Sequence, residues 1–200
     1  INRMLGADIV NQTPTRTKIE CFVTETQPDL DKLARRVHFL FKDVTDEMLE
    51  AINNNYGAFH DQIYEHHDNI TKFISYYLKT LYLSDRSTEE KKMLYAIFTH
   101  LDLMVDKLRH LSERIDRFGC TPKAKKCIAD VFDWFGTQFT LLTNPTKAQD
   151  VSTQRYQLKK KFKQQTFTSN ELQVLLVAFA FMEMVNCFLE YALLIELQKQ

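Results

Sequence analysis

The sequence predicts an all-α fold: a bundle of two similar three-helix halves with antiparallel, up-and-down helices. Three observations lead there. The 200 residues contain only four glycines and four prolines, too few for the turns of a sheet protein. Apolar residues recur every three or four positions along most of the chain. Helix punctuation divides residues 28–200 into six segments, and the order of long helices and short turns repeats once.

Residues 1–27 carry no steady period and read as a linker or N-terminal arm, with a short extended piece expected from Ile19 to Val23. The first half is placed at 28–119. Its opening helix is expected from about Pro28 to Asn53, with Asp29 and Asp31 complementing the positive N-terminal end. Leu30, Leu33, Val37, Leu40, Phe41 and Val44 begin its stripe, and Asn53-Asn54-Asn55 and Gly57 end it. The second helix spans about Ala58 to Leu83, with Phe59, Ile63, Ile70, Ile74 and Leu81 inward. The third runs from about Ser87 to Arg117; Ser87 and Glu90 have capping-box spacing and Gly119 suits a left-handed stop.

The second half is placed at 120–200. Thr121-Pro122 opens a fourth helix that Asn144-Pro145 closes. A fifth, weakly periodic helix covers about Thr146 to Gln165. Thr168 and Glu171 repeat the capping-box spacing before a sixth helix, about Ser169 to Gln198. Leu172 to Met182 holds no charge, but Glu183 and Glu190 interrupt the run, so it is expected as a central bundle helix rather than a membrane span.

Formal net charge is zero, with 26 basic and 26 acidic residues, which leaves no global field to draw in nucleic acid. The run Lys159-Lys160-Lys161-Phe162-Lys163 reads as a solvated helix face. Cysteines 21, 120, 127 and 187 form neither a CxxC pair nor zinc-finger spacing, and suit a reducing cytosol. The start Ile1-Asn2-Arg3 lacks an initiator methionine, from which a piece of a longer protein is expected. No P-loop, nucleophile elbow, dinucleotide fingerprint or HExxH occurs, so the chain is not expected to be an enzyme.

Chemistry is best concentrated at Asp102-Leu103-Met104-Val105-Asp106. Carboxylates at i and i+4 point the same way, here at the edge of the third helix's apolar stripe. Their repulsion would be relieved by a cation between them, or by ordinary pairing with Lys107, Arg109 or Arg114. On the second helix His60 and His67 share a face and, with Asp68 or Thr71, can reach the third helix. Imidazole plus carboxylate suits zinc, iron or manganese. Glu183, in an apolar helix, needs a partner, for which Arg155 is the candidate.

The order Asp68-Asn69-Ile70-Thr71-Lys72-Phe73, Leu83-Ser84-Asp85 and Leu101-Asp102-Leu103-Met104-Val105-Asp106 resembles the PhoU family over roughly residues 28–198, most strongly over 60–117. In that family an acidic E/DxxxD motif lies on the second and third helices of each half. Asp102 and Asp106 match the third-helix form. In the second half Glu183 matches, with Cys187 where the last aspartate would stand. His67 to Thr71 occupies the place of the second-helix motif without its acidic pair.

The resemblance implies a non-catalytic cytosolic domain, at the inner face of the membrane, that regulates a sodium-dependent phosphate transporter. Its partners would be a transmembrane transporter domain, in the same chain or another, and a second copy. It also implies a metal ion (Zn, Fe, Mn or Mg) at Asp102, Asp106, His67, Asp68 and Glu183. The alternative is a helical regulator or interaction adaptor unrelated to phosphate.

Overall fold

The computed structural model describes residues 7–13, 16–21, 29–54 and 56–198. From Asp29 onward the described residues are mostly helical, joined by short turns. Within the expected linker, strands β1 (Ala7–Thr13) and β2 (Arg16–Cys21) form an antiparallel hairpin, its register shifting between Ile9 and Asn11. Part of the arm is therefore ordered as a ladder. The extended piece expected at Ile19 overlaps β2, while Phe22 and Val23 lie outside the described residues.

The first three helices fall close to expectation: α1 (Leu30–Ala51), α2 (Tyr56–Leu83) and α3 (Thr88–Phe118). Asp29 caps α1 by accepting from the amides of Asp31 and Lys32, at 2.9 and 3.2 Å. Pro28 lies outside the described residues. Ser87 caps α3 by accepting from the Glu90 amide at 3.3 Å, but the Glu90 carboxylate pairs with Arg86. Only the Ser87 side of the expected capping box forms. Gly119 stops α3 at φ 73°, donating to the Ile115 carbonyl at 2.8 Å, a backbone conformation that costs glycine nothing.

The later helices are more divided than the sequence suggests. Helix α4 (Pro122–Gln138) is followed by a single turn, α5 (Thr140–Thr143), and a 3₁₀ turn at Pro145–Lys147. Thr137 and Gln138 both donate to the Trp134 carbonyl, at 2.7 and 3.3 Å, and Thr140 donates to the Thr137 carbonyl at 2.6 Å. These side chains compete for the carbonyls that would continue α4. Helix α6 (Ala148–Lys163) follows. The expected sixth helix is two: α7 (Ser169–Met184) and α8 (Asn186–Gln198), separated at Val185. There the Val185 amide reaches the Met182 carbonyl, three residues back, at 3.3 Å.

This break bears on the apolar stretch Ser169–Tyr191. By length and composition it could cross a membrane, with a mean hydropathy of 2.0, yet 44% of that window is buried inside the protein. At ~1.5 Å per residue α7 alone reaches only about 24 Å, short of the ~30 Å hydrocarbon core. Val174, Leu175, Ala178, Phe181 and Met182 form its buried face, and α7 packs along α3.

Buried side chains of the helices join in one apolar core. Phe135 of α4 packs against Phe41 of α1 at 5.4 Å and Phe181 of α7 at 5.0 Å, tying three helices to one ring. A polar link fastens α4 and α7 at their N-terminal ends. Thr168 caps α7 in a complete box with Glu171, and Glu171 also accepts a hydrogen bond from Thr121, the cap of α4, at 2.6 Å.

The Thr121 hydrogen bond, with those from Thr168, holds the Glu171 carboxyl below its ordinary value of 4.5. A depressed carboxylate stabilises the fold above its unfolded pKa and loses that contribution as pH falls through the folded one. Glu171→Gln is therefore expected to lower the melting temperature at pH 7. The gap to wild type should close as pH drops below 4.5. A gap of equal size at pH 7 and pH 3 would contradict this.

Candidate functional site

Helices α2 and α3 run antiparallel, so residues early in α2 face residues late in α3. Their apolar faces meet through Ile63, Ile70 and Ile74 on α2 and Leu101, Met104, Val105 and Leu108 on α3, all buried. Along one edge of this seam lies a row of polar contacts. His60 Nδ1 meets Ser112 Oγ at 3.0 Å, His67 Nε2 meets Asp106 Oδ1 at 3.2 Å, and Thr71 Oγ1 donates to Asp102 Oδ1 at 2.9 Å. The row follows from sequence spacing: His60, His67 and Thr71 share one stripe of α2, and Asp102 and Asp106 share one stripe of α3.

Four of the five expected site residues belong to this edge. His67 also turns Nδ1 toward Asp68 Oδ1 at 3.3 Å, so each ring nitrogen faces a carboxylate oxygen. A neutral imidazole has one N–H; only the imidazolium donates to both. Asp106 is shared, accepting from Arg109 Nη2 at 3.4 Å. Arg109 reaches on to Glu113 at 3.2 Å, and His110 meets Glu113 at 3.1 Å. The His110 hydrogen bond is the main reason that the Glu113 carboxyl stays below its ordinary value; burial opposes it, and the charges of His110 and Arg109 reinforce it.

Glu183, the fifth, is held by α6. Arg155 Nη2 donates to Glu183 Oε2 at 2.5 Å, the pairing the sequence suggested, and Lys159 Nζ lies 2.8 Å from Oε1. Burial pushes the Glu183 carboxyl up, but hydrogen bonds from Lys159 and Arg155 outweigh it and leave the group below its ordinary value. The side chain of Cys187 is outside those described.

As ligands, His67 and Asp106 are the most favourable pair. A separation of 3.2 Å suits a hydrogen bond and also suits neighbouring ligands of one cation with bonds of ~2.0–2.2 Å. Yet among the described residues no group of three or more His, Cys, Asp or Glu side chains is placed to hold a metal ion. Asp102 is turned to Thr71 and Asp106 to His67 and Arg109. The protein alone supplies at most part of a coordination shell, and water or another molecule would have to complete it.

Sequence reading missed several members of this surface. Ser112, fully buried, had no visible role until His60 was placed over it. His66 meets Glu47 of α1 at 2.9 Å. Tyr64 lies under the Arg109 guanidinium, 5.7 Å from ring centroid to carbon. Lys159 had been read only as part of a basic run, although it lies one turn beyond Arg155 and so shares its face. No protein-family model matches the chain, and no curated protein matches it significantly.

Proposed function

We propose that this chain is a non-catalytic PhoU-like regulatory domain. It would serve a sodium-dependent transporter of phosphate or another inorganic anion from the cytoplasmic face of the membrane. The observation that carries this reading is the register of α2 against α3. His67 and Thr71, spaced i and i+4, lie opposite Asp106 and Asp102, spaced likewise. The resemblance expects facing acidic pairs on those two helices; here the α3 pair is retained and two hydrogen-bonding residues stand on α2. The succession α1–α3 followed by α4, α6 and α7 suits the two three-helix halves of such a domain.

In this reading His67, Asp68, Asp102 and Asp106 are where a zinc, iron, manganese or magnesium ion would enter, and Glu183 fastens the second half through α6. The bundle offers its surface to a transmembrane transporter domain or to a second copy. One observation favours the alternative, a helical interaction module unrelated to phosphate: Asp102, Asp106 and Glu183 each already have donors within the protein.

Sodium-dependent uptake of labelled phosphate separates the two readings. Disrupting the gene is expected to change uptake, and the wild-type gene should restore it; unchanged uptake would reject the transporter reading. Metal analysis and thermal shift of the purified protein test the ion separately. A shift with one of the four metals should disappear in Asp102→Ala/Asp106→Ala. No bound metal and no shift would remove the ion from the proposal.

A further inference from the structure

Away from the α2–α3 edge, a pocket of about 660 Å³ opens at one end of the bundle, where α1, α2, the start of α3, the α4–α5 junction and α8 converge. Its size lies within the ~300–1,000 Å³ of small-molecule sites. The floor is aromatic: Tyr77 and Phe98, both buried, stack with ring centroids 3.5 Å apart. Leu94 and Phe139 extend the apolar wall, and Phe39, 55% exposed, stands at the mouth.

Of the charged groups round this apolar body, Arg35 and Arg86 set two positive charges against the one carboxylate of Asp31. Tyr77 and Tyr191 contribute phenols that burial pushes up, so both stay protonated. His38 packs edge-on against Phe139 at 4.3 Å. Burial, with Lys42 nearby, lowers its pKa, so the neutral ring contributes one N–H and no charge at pH 7. Arg86 is already engaged, by Glu90 and by Asp31 at 3.5 Å. Arg35 is different: it lines the same pocket from the exposed face of α1, and no carboxylate lies within ion-pair distance of it among the described residues.

We propose that this pocket binds an amphipathic monoanion, a fatty-acid carboxylate, with its chain along the Tyr77–Phe98 floor and its head group at Arg35. Charge decides the occupant. An uncharged apolar molecule would make no use of the Arg35 charge, and a cation would meet it directly. The inference is independent of the transporter reading, since it uses none of the α2–α3 edge residues.

The test is isothermal titration of the 200-residue chain with laurate and with 1-dodecanol, both below the concentrations at which they aggregate. Laurate is expected to bind saturably at one per chain, more tightly than dodecanol. Arg35→Glu should weaken laurate at least about tenfold. Ala34→Phe, which places a ring in the pocket from α1, should abolish binding while leaving circular dichroism and the melting transition unchanged. Absence of saturable laurate binding would overturn the proposal, as would equal affinity for wild type and Arg35→Glu or for laurate and dodecanol. A dimer that Ala34→Phe dissociates would show a second copy in the pocket, and would also overturn it.

Discussion

Phe135→Ala is expected to cost about 3–5 kcal/mol of folding stability, read as a drop in the urea midpoint. The ring is 3% exposed and touches Phe41 on α1, Phe181 on α7 and Phe139 at the α4–α5 junction, so three segments lose a shared neighbour. Neither Phe41 nor Phe181, both fully buried, can fill the hole without opening another, which puts the cost at the upper end of cavity-forming changes. Tyr156→Ala provides the comparison: that ring is 70% exposed and its loss should fall within about 0.5 kcal/mol of neutral. A Phe135→Ala effect below about 1.5 kcal/mol would mean that α1, α4 and α7 do not share this ring in solution.

Arg155→Ala is expected to have the next largest effect, about 1–2 kcal/mol. Its side chain is 19% exposed and Glu183 is 42% exposed, so the pair lies between a buried bridge and a surface one. Removing the guanidinium leaves Glu183 to Lys159 alone and loosens the α6–α7 contact. The same change made over Glu183→Gln should cost less, by about 0.5–1 kcal/mol, and the difference measures the pairing itself. An identical cost in both backgrounds would show that Arg155 acts through packing of its stem rather than through the carboxylate.

The contrast between these residues and the helix ends shows what could be read in advance. Periodicity located α1, α2 and α3 within a few residues, because their apolar faces and caps agree: Asp29, Ser87 and Gly119 each act where the pattern stops. It did not show the interruption at Val185. No glycine or proline stands there, and the apolar run continues through it. The turn depends on tertiary placement, with Glu183 drawn to α6 and α8 packing on α3 and on the turn at Pro145–Lys147. The end of α4 was equally hidden, because Thr137, Gln138 and Thr140 interrupt it through their own side chains.

The candidate site was legible in parts for a similar reason. Spacing within one helix placed Asp102 with Asp106 and His60 with His67. The pairing of one stripe with the other depends on the α2–α3 register, which the turn at residues 84–87 sets. The pocket at Arg35 was not legible at all: its lining comes from several segments, and spacing within a helix does not bring them together.

The packing of α7 on α3 has a consequence for the time course of folding. Helices α1, α2 and α3 meet as sequence neighbours, whereas α7 reaches α3 only after α4–α6 have intervened. Closing so long a loop is entropically dearer than closing an α2–α3 turn. On a ribosome, residues 30–118 can collapse together while the partner of α3's remaining face is still being made. A late docking event then falls to α7, and its arrival covers the face of α3 that until then is open to water.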